Sequence, residues 1–425
     1  MLIGFSFKNF KSFYDESIFS LASSKKEKRF KEINTFLVND SDDKSLELLK
    51  SAFIFGANAS GKTNVISAIS YMRMLVLTDF TRQNNLIENV DTFAFVDDNI
   101  PASFEVNFII DKIEYRYGFE ILNKEIISEY LYRKDKREVE IFSRSGDKIK
   151  LTAQMGNVKN LVNNVRKDNL FLSWANTGKN EIAMNIVDWF KNLTLISRNI
   201  EENMESLSSY TKKSDYNKNK IVDFVKLADP NIAGIDFEEK NLEEADRDIR
   251  NKLETILNIM LPAEEITITN ALYTYKMYNS KWEEIGTAKM LSETESAGTQ
   301  KILKLSLPIL EALEKGNIVI IDEIDSNLHP LLVKYLVNIF NSIEHNPNNA
   351  QLICTTHNPL LLEENLRRDQ IYFTEKDNYG RSSLYSIVDF ARVRKDTKIF
   401  KQYLLGVYGA TPILSDYVIY RKGKE

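Results

Sequence analysis

Hydrophobic and polar residues change their period several times along this chain, and each change marks a new kind of element. Residues 3–8 alternate, with Ile3, Phe5 and Phe7 on one side and Gly4, Ser6 and Lys8 on the other. That is the pattern of a strand with one buried face. Asn9-Phe10-Lys11-Ser12-Phe13 then leads into a second strand-like piece ending at Leu21. Phe104, Val106, Phe108 and Ile110 alternate up to Asp111-Lys112, and Ile113, Tyr115, Tyr117, Phe119 and Ile121 alternate after it, which predicts a hairpin. A second hairpin turns at Ser145-Gly146-Asp147. From Asn180 the period becomes helical: Ile182, Ile186, Trp189, Phe190 and Leu193, then Ile221, Phe224 and Val225, then Ala245, Ile249, Leu253, Ile256 and Met260, closed by Pro262. Core packing explains these stripes. Between the first two, residues 208–220 are polar and lysine-rich and read as a mobile loop. Residues 196–284 are therefore expected to form a mostly helical insertion.

Two stretches break from alternation into short, wholly apolar runs. The first, Ala52 to Phe55, enters Gly56-Ala57-Asn58-Ala59-Ser60-Gly61-Lys62-Thr63, and Val65, Ile66, Ile69 and Met72 follow at helical spacing. Strand, loop and helix around GxxxxGK[ST] is the context a phosphate-binding loop requires. Gly56 and Gly61 permit backbone geometry that turns successive N–H groups on phosphate oxygens. The helix that follows points its positive end at the same place. Lys62 supplies a charge for the β- and γ-phosphates and Thr63 a hydroxyl for Mg²⁺. Asn58, Ser60 and Asn64 are candidate nucleotide contacts of the same loop.

The second run is Ile318-Val319-Ile320-Ile321, bounded by Gly316 and by Asp322-Glu323. It reads as a parallel strand buried on both faces, whose C-terminal end is where ligands bind in such sheets. Asp322 can hold Mg²⁺ directly or through water, and Glu323 can orient and deprotonate an attacking water. Residues 350–359, AQLICTTHNP, repeat the arrangement and place His357 to touch a γ-phosphate or that water; by itself it reads equally as a structural histidine. Upstream, Glu295-Ser296-Ala297-Gly298-Thr299-Gln300 precedes an apolar-periodic segment, kinked or restarted at Pro308. Small residues and hydroxyls there make an anion-binding helix start, or a plain serine cap.

Composition sets bounds on this picture. The 425 residues suffice for two domains, and 43% are hydrophobic. A formal net charge of -5 argues against global attraction to nucleic acid or anionic membrane and leaves room for a local basic patch. The single cysteine, Cys354, excludes an internal disulfide or a zinc site built on several cysteines, and reads as core packing. With no long apolar run and no signal-peptide pattern, the expected location is the cytoplasm. The charge run at residues 24–31 and the basic residues Arg392, Arg394, Lys395, Lys398 and Lys401 read first as solvated faces. His345 reads as a surface residue.

The order of phosphate loop, SAGTQ, IVIIDE and TTHNP resembles the Walker A, signature, Walker B and switch histidine of ABC-type ATPases. The N-terminal FKNFKSF and GANASGKTN resemble the SMC/RecF branch. LLKSAFIFGANASGKTN, SFEVNFIIDKIEYRYGFEI, ESAGTQK, DEIDSNLHP, LRRDQIYFTEKD and YLLGVYGATP together resemble the AbiLi/RloA-like AAA-family ATPases and the ATPase part of overcoming-lysogenisation-defect proteins. Thr299 stands where the ABC signature usually has Gln, and His329 where the D-loop usually ends in Asp. No Q-loop is placed by the sequence; Gln83 is a weak candidate for one and reads more simply as an ordinary loop residue.

The resemblance implies an α/β fold: an ABC-type, SMC/RecF-like P-loop ATPase with a mixed sheet, an antiparallel β subdomain and the helical insertion. The expected parts are an ATPase lobe with Walker A and the β subdomain (1–195), the insertion (196–284), a lobe with signature, Walker B and switch histidine (285–390) and a tail (391–425). It implies that two copies sandwich ATP and Mg²⁺, with Ser296 and Gly298, beside Thr299, of one copy reaching the γ-phosphate on the Lys62 loop of the other. It further implies a homodimer or higher homo-oligomer in a bacterial antiphage, abortive-infection-like system, controlling a separate effector such as a Toprim-like nuclease. A RecF/SMC-like clamp in DNA repair, with DNA as partner, is the alternative. No membrane role is expected.

Overall fold

The computed structural model describes residues 1–39, 45–96, 99–197, 204–241, 267–390 and 398–412. The chain divides into two compact units, residues 1–198, 312–325 and 333–425 forming one, and residues 199–311 and 326–332 the other. The first unit is built on a six-stranded sheet in the order Leu193–Ile196, Ile318–Ile321, Gln351–Thr356, Ser51–Gly56, Ile371–Lys376, Ser382–Ser386. Five strands run parallel and the last returns antiparallel. Ile318–Ile321, Gln351–Thr356 and Ser51–Gly56 are buried along their whole length. Covered on both faces, they read as continuous apolar runs rather than as alternation.

The same unit holds a seven-stranded antiparallel sheet, ordered Lys148–Leu151, Glu138–Ser145, Glu125–Lys134, Ile113–Leu122, Ala102–Ile110, Leu2–Lys8, Ser17–Ser20. Both predicted hairpins are present. Asp111 and Lys112 have φ of 47° and 68°, the left-handed pair that a two-residue hairpin turn requires. Helix Lys62–Leu77 joins residues of both sheets in one core, which includes Phe7, Phe104, Val65, Met72, Ile54 and Phe190. One amide ties the two sheets together. Buried Gln351, at the start of its strand, accepts from Leu2 N at 2.7 Å and donates to Leu2 O at 3.0 Å and Leu49 O at 3.2 Å.

The second unit packs helices Met204–Lys212 and Asp215–Val225 with a three-stranded antiparallel sheet, Ile232–Asn241, Thr267–Tyr278 and Glu284–Leu291. Its core contains Leu207, Ile221, Val225, Ile235, Tyr273, Leu303 and Leu307. Three expectations change here. The insertion is mixed rather than mostly helical, because Ile232–Asn241 and Thr267–Tyr278 are strands. Its compact unit runs from 199 to 311 rather than from 196 to 284, because Glu284–Leu291 completes that sheet and Leu303 and Leu307 join its core. Residues 208–220 form helices instead of a loop: Ser208 is buried, and Ser214 caps the second helix by accepting from Asn217 N at 3.1 Å. The third predicted helix, Ala245 to Met260, lies outside the described residues.

The helix after the SAGTQ segment, Ala297–Lys315, does not restart at Pro308, which sits inside it. Leu193 begins a strand instead of closing the helix Glu181–Lys191. Tyr403 and Tyr408 of the C-terminal segment stack on Phe373, with ring centroids 5.5 and 5.4 Å apart. No helix among the described residues is long and apolar enough to cross a membrane.

Replacing Gln351 by leucine keeps the volume and leaves three buried backbone groups of Leu2 and Leu49 without their partners. Such groups cost about 1–3 kcal/mol each when left unsatisfied, partly relieved by relaxation, so Gln351→Leu should destabilise by about 2–4 kcal/mol. Urea unfolding measures it; a loss under about 0.5 kcal/mol would mean that apolar packing alone seats the N-terminal strand.

Candidate functional site

Three neighbouring parallel strands end at the same edge, and the polar residues just past their ends converge there. The loop after Ser51–Gly56 is the foundation. A Cβ on Gly56 would stand 2.5 Å from both Ser60 Oγ and Thr374 Oγ1, and one on Gly61 would stand 2.6 Å from Ser382 Oγ. Gly61 also has a φ of 115°, which glycine alone adopts without strain. Gly61 opens helix Lys62–Leu77 and its carbonyl accepts from Asn64 N and Val65 N, so the N–H groups of Lys62 and Thr63 are left without an intrahelical acceptor. Lys62 Nζ donates to Gly56 O and Ala57 O, both at 2.8 Å, so the ammonium is held over the loop.

The loop is braced from two sides. Ser60 Oγ and Thr374 Oγ1 share a hydrogen bond of 2.6 Å. Asn64 Nδ2 donates to Ser12 Oγ at 2.7 Å, and Ser382 Oγ donates to the same oxygen at 2.8 Å. Ser12 belongs to the FKNFKSF turn, where Asn9 and Lys11 have φ of 49° and 50° and Phe10 and Phe13 exchange backbone bonds of 2.8 and 2.9 Å. Buried Phe13 anchors that turn edge-on against Phe7. Asn64 and Ser60 are thus loop braces here.

Asp322 and Glu323 follow strand Ile318–Ile321. Asp322 Oδ1 accepts from Thr63 Oγ1 at 3.3 Å and from Thr355 Oγ1. Thr355 Oγ1 in turn accepts from Glu323 N at 2.6 Å, and Thr355 O accepts from Ile324 N at 3.1 Å. These bonds hold Glu323 at a φ of 50°, an uncommon conformation for a residue with a side chain. His357 N donates to the Asp325 carboxylate at 3.1 and 3.2 Å, and His357 Nε2 lies 3.9 Å from Glu323 Oε1.

Asn58, Ala59, Gly61, Lys62, Thr63, Asn64, Glu323, His357 and Lys376 line one cleft of about 570 Å³. Burial pushes the Lys62 ammonium down to about 8, against the pull of Glu323, Asp322 and Asp325. Burial and the charge of Lys62 also depress His357 below its ordinary 6.5, so its ring is neutral at pH 7, with one nitrogen donating and one accepting. Among the described residues no group of three or more His, Cys, Asp or Glu side chains forms a metal cage. Thr63 and Asp322 together present hard oxygen donors beside the phosphate loop, a set suited to Mg²⁺, which takes only one or two carboxylates when substrate phosphates complete its shell.

Ser296, Gly298 and Thr299 belong to the second unit. Ser296 Oγ accepts from Thr299 N at 3.1 Å, which caps helix Ala297–Lys315, and a Cβ on Gly298 would press within 2.8 Å of Asn327 O. His329, also in that unit, accepts from Leu331 N through Nδ1 at 3.2 Å, the contact of a structural loop residue. Gln83 is fully buried in the short helix Gln83–Glu88, donating to Ser173 Oγ at 2.6 Å and Leu75 O at 2.9 Å, and it does not line the cleft. Cys354 is buried, and His345 bonds Ser342 on the surface. Ser12, Thr355, Thr374, Asp325, Lys376 and Ser382 were not singled out by their spacing. The doublet Thr355-Thr356 at a strand end was the one available signal.

A family model described as "AAA domain, putative AbiEii toxin, Type IV TA system" matches residues 51–363. The match begins on the strand that carries the phosphate loop and ends beyond His357. No curated protein matches the chain. Since the matched span takes in the loop, the acidic strand end and the histidine, and covers most of the sequence, the chain belongs to this AAA-domain family of P-loop ATPases.

Proposed function

We propose that the chain binds and hydrolyses ATP with Mg²⁺, and that it works as the nucleotide-driven switch of an abortive-infection-like antiphage system, controlling a separate effector. The observation that carries the hydrolytic reading is the convergence of Lys62, Thr63, Asp322, Glu323 and His357 on one cleft. In this reading the phosphate oxygens take over the N–H groups that Lys62 gives to Gly56 O and Ala57 O. Thr63 and Asp322 would hold Mg²⁺, which when bound would supply charge neutralisation for the phosphates. Glu323, kept in place by Thr355, orients the attacking water and takes its proton. His357, neutral and backed by Asp325, offers an N–H toward the γ-phosphate.

The switch needs two states that differ in affinity for ATP. A symmetric dimer supplies them if Ser296 and Gly298 of one copy complete the Lys62 loop of the other. The abortive-infection assignment draws on the description of the matching family and on the resemblance of the motifs. A nuclease of Toprim-like type is the effector class proposed.

Two substitutions test the chemistry. Lys62→Ala removes a charge-assisted donor to phosphate, a contact stronger than a neutral hydrogen bond, and should weaken ATP binding about 100-fold, read by equilibrium binding of a fluorescent ATP analogue. Glu323→Gln keeps shape and loses the base. It should retain ATP binding, cut single-turnover hydrolysis about 100-fold or more, and accumulate an ATP-bound dimer in size-exclusion chromatography. Parent-like hydrolysis by both variants would sink the assignment.

A further inference from the structure

The cleft has a second cation that the proposed chemistry leaves unused. Strand Ile371–Lys376 runs parallel to the loop-bearing strand, with Thr374 paired to Gly56 where the loop begins. Thr374 faces the loop, since its hydroxyl bonds Ser60. Side chains two residues apart on a strand share a face, so Lys376 projects on the loop's side, one step further out. Glu375 projects the other way, where Tyr385 Oη donates to it at 3.3 Å. Lys376 is paired in register with Ser382, whose hydroxyl bonds the Ser12 brace and crowds Gly61.

The charge on Lys376 is available. Among the described residues it makes no ion pair, while the next acid along the chain, Asp377, is held by Arg381 Nε at 2.8 Å. Most lysines on a solvated face need no explanation, but this one lines the same cleft as Lys62.

Its place in the sheet decides what it can touch. The order across the sheet is the Asp322 strand, the His357 strand, the loop strand, then the Lys376 strand. Glu323 and His357, the groups for the γ-phosphate and the water, therefore lie on one flank of the loop and Lys376 on the other. A triphosphate laid across the loop with its γ end toward Glu323 turns its α-phosphate and ribose toward Lys376. We propose that Lys376 binds the α-phosphate end of the nucleotide, giving ATP and ADP the same added affinity. This inference rests on the reading of the cleft as a nucleotide site.

The test measures ATP and ADP affinity, under non-hydrolysing conditions, for the parent, Lys376→Gln, Lys376→Glu, Lys376→Arg and Lys62→Ala. Loss of one partly solvated charge-assisted contact should raise Kd about tenfold for ATP and ADP alike in Lys376→Gln. Lys376→Glu should raise it further, and Lys376→Arg should stay within about threefold of the parent. Because Lys376 is exposed and makes no ion pair among the described residues, all three variants should keep the parent's circular dichroism and thermal midpoint. Parent-like affinity in Lys376→Gln, or a loss confined to ATP, overturns the inference while a damaged Lys62→Ala leaves the site reading standing. Parent-like affinity in Lys62→Ala overturns the site reading itself.

Discussion

Close packing around two glycines is the constraint from which the rest of the site follows. Gly56 is enclosed by Ser60 and Thr374, and Gly61 by Ser382, at distances no Cβ could occupy, with Phe13 also close to Gly61. The loop between them is thereby braced by strand Ile371–Lys376 on one side and by the Phe10–Phe13 turn on the other, in addition to the bonds that Lys62 gives to Gly56 O and Ala57 O. A rigid loop matters because backbone N–H groups aimed in advance at an anion need no reorganisation when it arrives. The N-terminal strand and the C-terminal half of the chain, more than three hundred residues apart, meet at Ser12 and Ser382 to hold it. The family match begins at residue 51, so the Ser12 brace lies outside the matched span.

A similar division of labour appears at the acidic strand end. Glu323 occupies the left-handed region, which costs on the order of 1 kcal/mol for a residue with a Cβ. Thr355 offsets that cost through three bonds, taking the Glu323 and Ile324 N–H groups and giving its hydroxyl proton to Asp322. The threonine belongs to the neighbouring strand, so the backbone that carries the Glu323 carboxylate is held from next door. A strained conformation held this firmly by its surroundings is characteristic of functional positions.

Much of the site was legible because its signals are local. A glycine-bounded loop between an apolar run and a helical stripe needs no tertiary information, and neither do an acidic pair ending a buried strand or alternation across Asp111-Lys112. The braces were illegible for the opposite reason: Ser12 reaches Ser382, and Thr374 reaches Ser60, only through sheet register. The second unit misled for a physical reason too. Strand Ile232–Asn241 carries Asp236, Glu238, Glu239 and Lys240, polar residues that mask a β period. The partners of Asp236, Lys218 and Lys289 at 2.6 and 2.7 Å, come from other elements. Ser208 to Lys220 looked like a loop because its polar residues outnumber the few, Tyr210 among them, that face the core.

The charges gathered at the cleft bear on what it can accept. Asp322, Glu323 and Asp325 stand together at one strand end, and Lys62 is the cation they draw on. Burial lowers the pKa of Lys62 to about 8, which still leaves it charged at neutral pH, and His357 is depressed below its ordinary range by burial and by Lys62. A polyphosphate placed here would meet three carboxylates, and like charges within a few ångströms of one another in a partly desolvated cleft repel strongly. Additional positive charge would therefore favour a bound nucleotide. Oxygen donors at Thr63 and Asp322 can supply it in the form of a divalent ion, on the flank where the carboxylates crowd. On the opposite flank stands Lys376, which lines the same cleft and makes no ion pair among the described residues.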